Sequence, residues 1–171
     1  MELKLTPDLR KYEVLKTIKT FLENNDFKII RSDETRPWGG FFVIDELQTK
    51  SFIDFFFNNV PEAHQNIHGK LSPKILIVEA GKRLSWQYHH RRAEIWKVIG
   101  GQAGVVISNT DIETPLQTKK INDVIVLKQG ERHRLIGMDK WGIIAEIWQH
   151  TNAESPSNED DIVRLQDDFG R

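Results

Sequence analysis

The sequence predicts a mainly β protein, a single-domain β-barrel preceded by a helix. Six short apolar or alternating runs follow one another between Ile75 and Trp148, and each has the length and composition of a strand. Turn residues separate the runs at intervals of about ten residues, which is typical of an antiparallel sandwich or barrel and not of alternating strands and helices. Because the chain has 171 residues, one core is expected.

The first predicted element is an N-terminal helix. A Thr-Pro-Asp sequence at residues 6–8 combines a capping hydroxyl with a proline in the first turn, and apolar residues follow at helical spacing as far as Leu22. The asparagines at residues 24 and 25 end this helix. We therefore assign residues 1–30 to a helical extension packed on the barrel and residues 31–171 to the barrel, as one structural domain.

Two strands and an ambiguous segment follow. Residues 27–30 and 41–44 are short apolar runs that predict strands. Residues 46–58 fit helical spacing better than strict alternation, so we predict a short additional helix, although the triple phenylalanine within them also suits a buried strand. The six later runs, taken as successive strands, are residues 75–78, 84–89, 95–99, 104–107, 121–127 and 142–148.

Composition excludes several classes of function. The 24 Lys and Arg residues and 25 Asp and Glu residues leave a net charge of -1, so no basic field attracts nucleic acid. The absence of cysteine excludes disulfides, thiolate metal ligands and cysteine nucleophiles. No apolar run approaches the roughly 20 residues of a bilayer span, and the N-terminus lacks a signal peptide core. We expect a cytoplasmic protein without nucleic acid or membrane partners.

One predicted strand has an unusually polar face. Gln87 and His89 are two residues apart, so both side chains leave the same face of the strand, together with Arg83 and Ser85. The opposite face is apolar. A face that presents an amide, an imidazole, a hydroxyl and a guanidinium group must meet water, a substrate or a metal. Glu94 and His133 are further ligand-type residues that converge on it if the barrel closes.

Two motifs carry a family resemblance. One spacing is similar to the first sequence motif of the cupin family, with glutamine where the first histidine usually stands: Gly81, Gln87, His89, Glu94 and Gly101. Gly130 and His133 are similar to the centre of the second cupin motif, which is only half kept. Residues 36–39, 83–90, 92–94, 159–164 and 169–171 more closely resemble the type II mannose-6-phosphate isomerase cupin, in a stand-alone form. The resemblance implies a jelly-roll (double-stranded β-helix) barrel.

The resemblance also implies an activity in carbohydrate metabolism. It implies one divalent metal ion held by Gln87, His89, Glu94 and His133, with zinc preferred and manganese, iron or nickel open. The implied reaction converts an aldose phosphate into a ketose phosphate through a cis-enediolate, with mannose 6-phosphate and fructose 6-phosphate as the pair. Another sugar phosphate, such as a heptose phosphate, fits equally well. The alternative is a non-catalytic cupin that binds a sugar or a sugar phosphate.

Several further residues are candidates for this chemistry. Glu146 is the first candidate for a general base, because an inward carboxylate beside a metal site is costly without a purpose. Arg83 ranks first as a clamp for the substrate phosphate, and Ser85, Arg134 and Arg164 are further substrate-binding candidates.

The N-terminal helix and the phenylalanine-rich segment 52–57 predict a homodimer interface. The simpler alternative is that these elements cap the barrel.

Overall fold

Nine β-strands in the described part of the chain form one antiparallel sheet that curls into a barrel. The structure, a computed structural model, describes residues 3, 5, 8–65, 67 and 69–170. The strands are β1 (Ile29–Asp33), β2 (Gly39–Ile44), β3 (Lys74–Val78), β4 (Trp86–Tyr88), β5 (Arg92–Ser108), β6 (Gln117–Lys120), β7 (Val124–Leu127), β8 (Arg132–His150) and β9 (Val163–Gln166). The helices are α1 (Lys11–Asn24) and α2 (Thr49–Phe56), with 3-10 turns at Glu46–Gln48 and Pro61–His64.

Two long strands organise the sheet. One path of hydrogen-bonded neighbours runs β1, β2, β3, β8, β4 and β9, while β5 pairs with β6, β7 and β8. β5 and β8 pair from Arg92 opposite His150 to Ser108 opposite Arg132. The strand β8 therefore holds β3 and β4 along one edge and β5 along the other, which brings side chains from distant parts of the sequence to one barrel interior.

The structure corrects the turn predicted at Gly100 and Gly101. The predicted strands 95–99 and 104–107 belong to the single strand β5, and the pairing with β8 shifts register on both sides of Gly101. Gly101 has φ +64°, and a Cβ atom there would lie 1.8 Å from the carbonyl oxygen of Trp141. The glycine pair therefore lies between two β-bulges within one strand, where glycine tolerates both the backbone conformation and the close approach.

The mainly β prediction with an N-terminal helix and one short additional helix is confirmed. The predicted helix start at residues 6–8 falls partly on residues 6 and 7, which lie outside the described residues. α1 begins at Lys11, and the backbone N–H of Arg10 donates to Glu13 at 2.8 Å. α2 occupies the centre of the ambiguous segment 46–58, which settles that segment as helical.

The alternation of side chains along the strands separates two hydrophobic clusters. Ile75 and Ile77 of β3 pack with both helices on the outer face of the sheet, whereas Leu76 and Val78 face the barrel interior. In β8, Ile143 and Ala145 belong to the outer cluster and Ile144 to the inner one. The polar residues that share the inner parity of these strands therefore point into the barrel.

The phenylalanine-rich segment contributes mainly to the outer cluster. Phe52, Phe56 and Phe57 are buried within the chain, and Phe55 is 38% exposed. The segment therefore caps the barrel face through its buried rings, and the predicted homodimer stays a prediction. Within the described residues, no helix has the length and apolar character needed to cross a membrane.

Candidate metal centre

Three side chains from separate strands meet inside the barrel. His89 follows β4, Glu94 lies on β5 and His133 lies on β8, and their ligand atoms all lie within 4.8 Å of one another. The Nε2 atom of His89 is 3.1 Å from Glu94 Oε1, and the Nε2 atom of His133 is 3.6 Å from Glu94 Oε2. Each of the three residues is 2% exposed. We call this group the buried trio.

Backbone carbonyl groups fix the orientation of both imidazole rings. His89 Nδ1 donates to the carbonyl oxygen of Asp161 at 2.5 Å, and His133 Nδ1 donates to that of Glu131 at 2.9 Å. Because a carbonyl oxygen only accepts, each Nδ1 carries a proton, and the Nε2 atom of each ring faces Glu94. Burial lowers the pKa of His133 to about 4, which keeps that ring neutral at neutral pH.

The chemistry of the trio fits a metal ion. His133 Nε2 is buried and has no hydrogen-bond partner among the described residues. Burial alone would raise the pKa of the Glu94 carboxyl, but His89 and Arg92 hold that pKa well below its usual range. Two imidazole nitrogens and an ionised carboxylate that face one another in a buried site form a set of donors that can bind a cation. The donor set suits a divalent ion.

Arg92 supplies part of the positive charge that the trio needs. Its Nε donates to Glu94 Oε1 at 2.8 Å and one terminal nitrogen contacts His89 Nε2 at 3.2 Å. Gln87, the fourth predicted ligand, lies opposite His133 in the pairing of β4 with β8. The side-chain oxygen of Gln87 accepts a hydrogen bond from Ser85 at 2.5 Å, and its role as a ligand stays a prediction.

A cavity of about 380 Å³ borders the trio through Glu94. Five cationic and four acidic residues line it, together with aromatic and aliphatic side chains. Glu94, Glu146, Trp96 and Ser85 are buried and form its floor. Arg31 and Arg164 are exposed at its mouth. The size suits a small polar ligand, since binding pockets start at roughly 300 Å³.

The floor contains a second buried ionic cluster. The Trp148 ring has Lys74 Nζ at 4.1 Å and Arg92 Cζ at 4.0 Å from its centroid. Trp148 Nε1 donates to Glu146 at 3.1 Å, and Lys74 Nζ lies 3.9 Å from the same carboxylate. Burial, reinforced by the nearby charge of Glu94, raises the pKa of Glu146 to about 7. Glu146 is therefore partly protonated at neutral pH.

The structure places the predicted substrate-binding residues in two groups. Ser85 and Arg164 line the cavity, as does Glu146, the predicted general base. Arg83 and Arg134 are not among the residues that line it. Arg83 donates to both carboxylate oxygens of Asp168, at 2.6 and 2.8 Å, and the buried Arg134 donates to Glu113 at 2.6 Å.

Sequence reasoning missed several cavity residues, namely Arg31, Arg36, Lys74, Arg92 and Glu159. Side chains alternate along β5, so residue 92 lies on the same face as residue 94. This alternation alone could have identified Arg92 as a residue of the site. Arg36 and Glu159 stood in segments that carried the family resemblance without an assigned role. Lys74 was visible as a lone charge directly before a fully apolar run.

Comparison with known proteins identifies the family. Residues 62–167 match the family described as "Mannose-6-phosphate isomerase C-terminal". The chain belongs to this family. The chain is 33% identical over 136 residues to the alginate biosynthesis protein AlgA of Pseudomonas aeruginosa, covering 80% of this chain and 22% of that protein. It is 29% identical over 153 residues to the mannose-1-phosphate guanylyltransferase of Salmonella montevideo, covering 90% of this chain and 26% of that enzyme.

These relatives overturn the isomerase prediction. A third relative, the xanthan biosynthesis protein XanB of Xanthomonas campestris pv. campestris, is 32% identical over 80% of this chain and 23% of its own length. The relatives are named for guanylyl transfer and for polysaccharide biosynthesis, not for isomerisation. The predicted conversion of an aldose phosphate into a ketose phosphate is therefore wrong for this family member, although the family description contains the word isomerase. The chain spans about a quarter of the length of these relatives.

Solved structures confirm the cupin fold. The capsular polysaccharide assembling protein CapF of Staphylococcus aureus matches with a TM-score of 0.51 at 11% identity, over 82% of this chain and 34% of that one. The oxalate decarboxylase of Lactobacillus farciminis matches with a TM-score of 0.51 at 18% identity, over 83% of this chain and 34% of that one. At these identities the likeness shows the fold alone.

Proposed function

We propose that this protein is a metal-dependent binding domain for a phosphorylated sugar, which it holds without converting it. The observation that carries the proposal is the buried trio, which contains the unpartnered His133 Nε2 and whose ionised Glu94 lines a polar cavity. A cavity lined by both charged and aromatic residues suits a ligand with hydroxyl groups, an apolar ring face and an anionic substituent.

The names of the relatives point to the class of sugar. The Salmonella montevideo relative is named for mannose 1-phosphate, so a mannose phosphate is the ligand that we propose. His89, Glu94 and His133 would hold the metal, with Gln87 as a fourth candidate, and zinc is the first choice. The metal would supply a Lewis acid for oxygen atoms of the ligand. Ser85 and Trp96, which line the floor, would contact the sugar from the protein side.

Calorimetric titration of mannose 1-phosphate and mannose 6-phosphate into zinc-loaded and chelator-stripped protein tests this function. His133→Ala removes a trio member, and His90→Ala is the matched control because His90 is exposed and its ring packs edge-on against Tyr88. We expect His133→Ala to weaken zinc binding at least about 100-fold and to abolish sugar phosphate binding. His90→Ala should change neither.

Two results contradict the proposal. The first is equal sugar phosphate binding by stripped and zinc-loaded protein, which would remove the metal from the function. The second is conversion of the ligand: nuclear magnetic resonance spectra of the sugar phosphate after prolonged incubation should show the starting compound alone, and a new sugar signal would refute a binding role.

A further inference from the structure

Three arginines from separate elements surround the mouth of the cavity. Arg31 lies on β1, Arg36 lies in the turn between β1 and β2, and Arg164 lies on β9, next to Gln87 in the pairing of β4 with β9. All three line the same cavity as Glu94 of the buried trio. The cavity therefore has a buried candidate metal ligand, Glu94, on its floor and more exposed guanidinium groups at its mouth.

Neighbouring side chains hold two of these guanidinium groups in place. Arg31 and Arg36 both lie over the Phe41 ring, with their Cζ atoms 5.6 and 5.7 Å from its centroid. Arg36 Nε is 2.8 Å from Asp33 Oδ2, and Arg31 donates to Glu159 at 2.7 Å. Each guanidinium group has five N–H donors, so these contacts leave donors for a ligand.

The charge at the mouth matches an anionic ligand. Glu159 bridges Arg31 and Lys74, whose Nζ is 3.0 Å from its carboxylate. The cavity lining carries five cationic residues against four carboxylates, a formal excess of one positive charge. This balance favours an anionic ligand such as a phosphate monoester. The indole nitrogen of Trp38, another lining residue, is buried without a hydrogen-bond partner among the described residues and adds a neutral donor.

We propose that Arg31, Arg36 and Arg164 form a phosphate subsite at the mouth of the cavity, while the sugar hydroxyl groups face the buried trio. This inference rests on the proposed function and assigns the orientation of its ligand. A planar guanidinium group donates two parallel hydrogen bonds to two oxygens of one phosphate group. This geometry fixes the orientation of the phosphate as well as its position. Of the three arginines expected from the sequence to bind the phosphate, Arg164 lines the cavity, whereas Arg83 and Arg134 bind Asp168 and Glu113.

The test compares Arg36→Gln and Arg164→Gln with Arg83→Gln. Arg83 is a matched control because its side chain is 38% exposed against 34% for Arg36, and both arginines are paired with an aspartate. Zinc-loaded protein is titrated with mannose 6-phosphate and with unphosphorylated mannose, and zinc affinity is measured separately. We expect each cavity variant to weaken mannose 6-phosphate binding about tenfold and to leave zinc and mannose binding unchanged. Arg83→Gln should match the unaltered protein.

The outcomes distinguish the subsite from the function on which it rests. If Arg83→Gln weakens binding and the cavity variants do not, the subsite is wrong while the metal-dependent function stands. If unaltered protein binds mannose and mannose 6-phosphate equally tightly, no phosphate subsite exists. If zinc-loaded protein binds neither sugar, the proposed function fails and the subsite fails with it. Two independent cavity variants guard against misfolding of one, and unchanged zinc affinity shows that the barrel is intact.

Discussion

The barrel interior opposes the ionisation of Glu146. It is 5% exposed, and burial raises its pKa to about 7 from the usual 4.5. Between these two pH values the folded chain binds a proton that the unfolded chain releases. The free energy of unfolding therefore falls as the pH rises through this window, because the folded state must ionise a buried carboxyl.

Glu146→Gln should remove this pH dependence. An amide keeps the acceptor for Trp148 Nε1 and does not ionise, so the metal-free variant should be more stable than the parent at pH 8 by up to ~3 kcal/mol and similar at pH 5. Urea denaturation of metal-free protein from pH 5 to pH 8 measures the difference. Glu154→Gln, at an exposed position, is the control and should follow the parent curve. Parallel curves for all three proteins would show that Glu146 ionises normally.

At the scale of residues, alternation along strands predicted the site in part. It placed Gln87 and His89 on one polar face and Glu146 on the inner face of its strand, as Glu146 is in the structure. It did not predict where Arg31 and Arg83 lie relative to the cavity, because a guanidinium group reaches far from its own backbone. Arg83 extends to Asp168, 85 residues away, while Arg31 reaches the cavity from the sheet edge formed by β1. Side-chain length, and not strand parity, decides such placements.

At the scale of elements, the segment that leads into β9 completes the metal centre. Asp161 is buried, and its carbonyl oxygen accepts the proton of His89 Nδ1. Its carboxylate accepts from the backbone N–H groups of His90 and Arg91 at 2.9 and 3.0 Å and from Ser157 Oγ at 2.6 Å. Asp161 is therefore a positioning residue, since it holds the turn that orients a metal-ligand candidate.

Asp161→Asn should weaken zinc binding about 10-fold to 100-fold, because one carboxylate oxygen becomes an amide group that does not accept from a backbone N–H. Competition against a chromophoric chelator at a temperature well below the unfolding transition measures the affinity. Asp160→Asn is the matched control: this exposed neighbour contributes only backbone groups to the hydrogen bonds of the turn. Equal zinc affinity in both variants would leave Asp161 with a purely structural role.

The sequence predicted which segments are helices or strands better than it predicted where each strand begins and ends. The apolar runs at residues 75–78 and 142–148 marked β3 and part of β8. It did not predict that β5 runs unbroken through Gly100 and Gly101, because a glycine pair is typical of a turn and of a bulge alike. The sequence also did not predict that β9 pairs with β4. The polar segment 151–161 that leads into β9 has no hydrophobic pattern, and the hydrogen bonds of Asp161 hold it in place.

At the scale of the whole molecule, the sheet is shared by two cores. The outer cluster joins α1 and α2 to alternate residues of β3, β5 and β8, and the inner cluster uses the intervening residues of the same strands. Loss of either cluster therefore exposes strands on which the other depends. The helical extension and the barrel should unfold as one cooperative unit.

Ile18→Ala tests this coupling because the Ile18 side chain of α1 is fully buried in the outer cluster. We expect the free energy of unfolding to fall by about 2–5 kcal/mol, as for other large aliphatic side chains truncated in a core. Tyr12→Ala on the same helix is the control, since Tyr12 is 65% exposed and should change stability by less than about 0.5 kcal/mol. Denaturation is followed by far-ultraviolet circular dichroism and by tryptophan fluorescence, which reports on both Trp96 in the inner cluster and Trp141 in the outer one. In Ile18→Ala the two probes should shift together to one lower midpoint, whereas an earlier loss of helical signal with an unchanged fluorescence midpoint would show that α1 unfolds independently of the barrel.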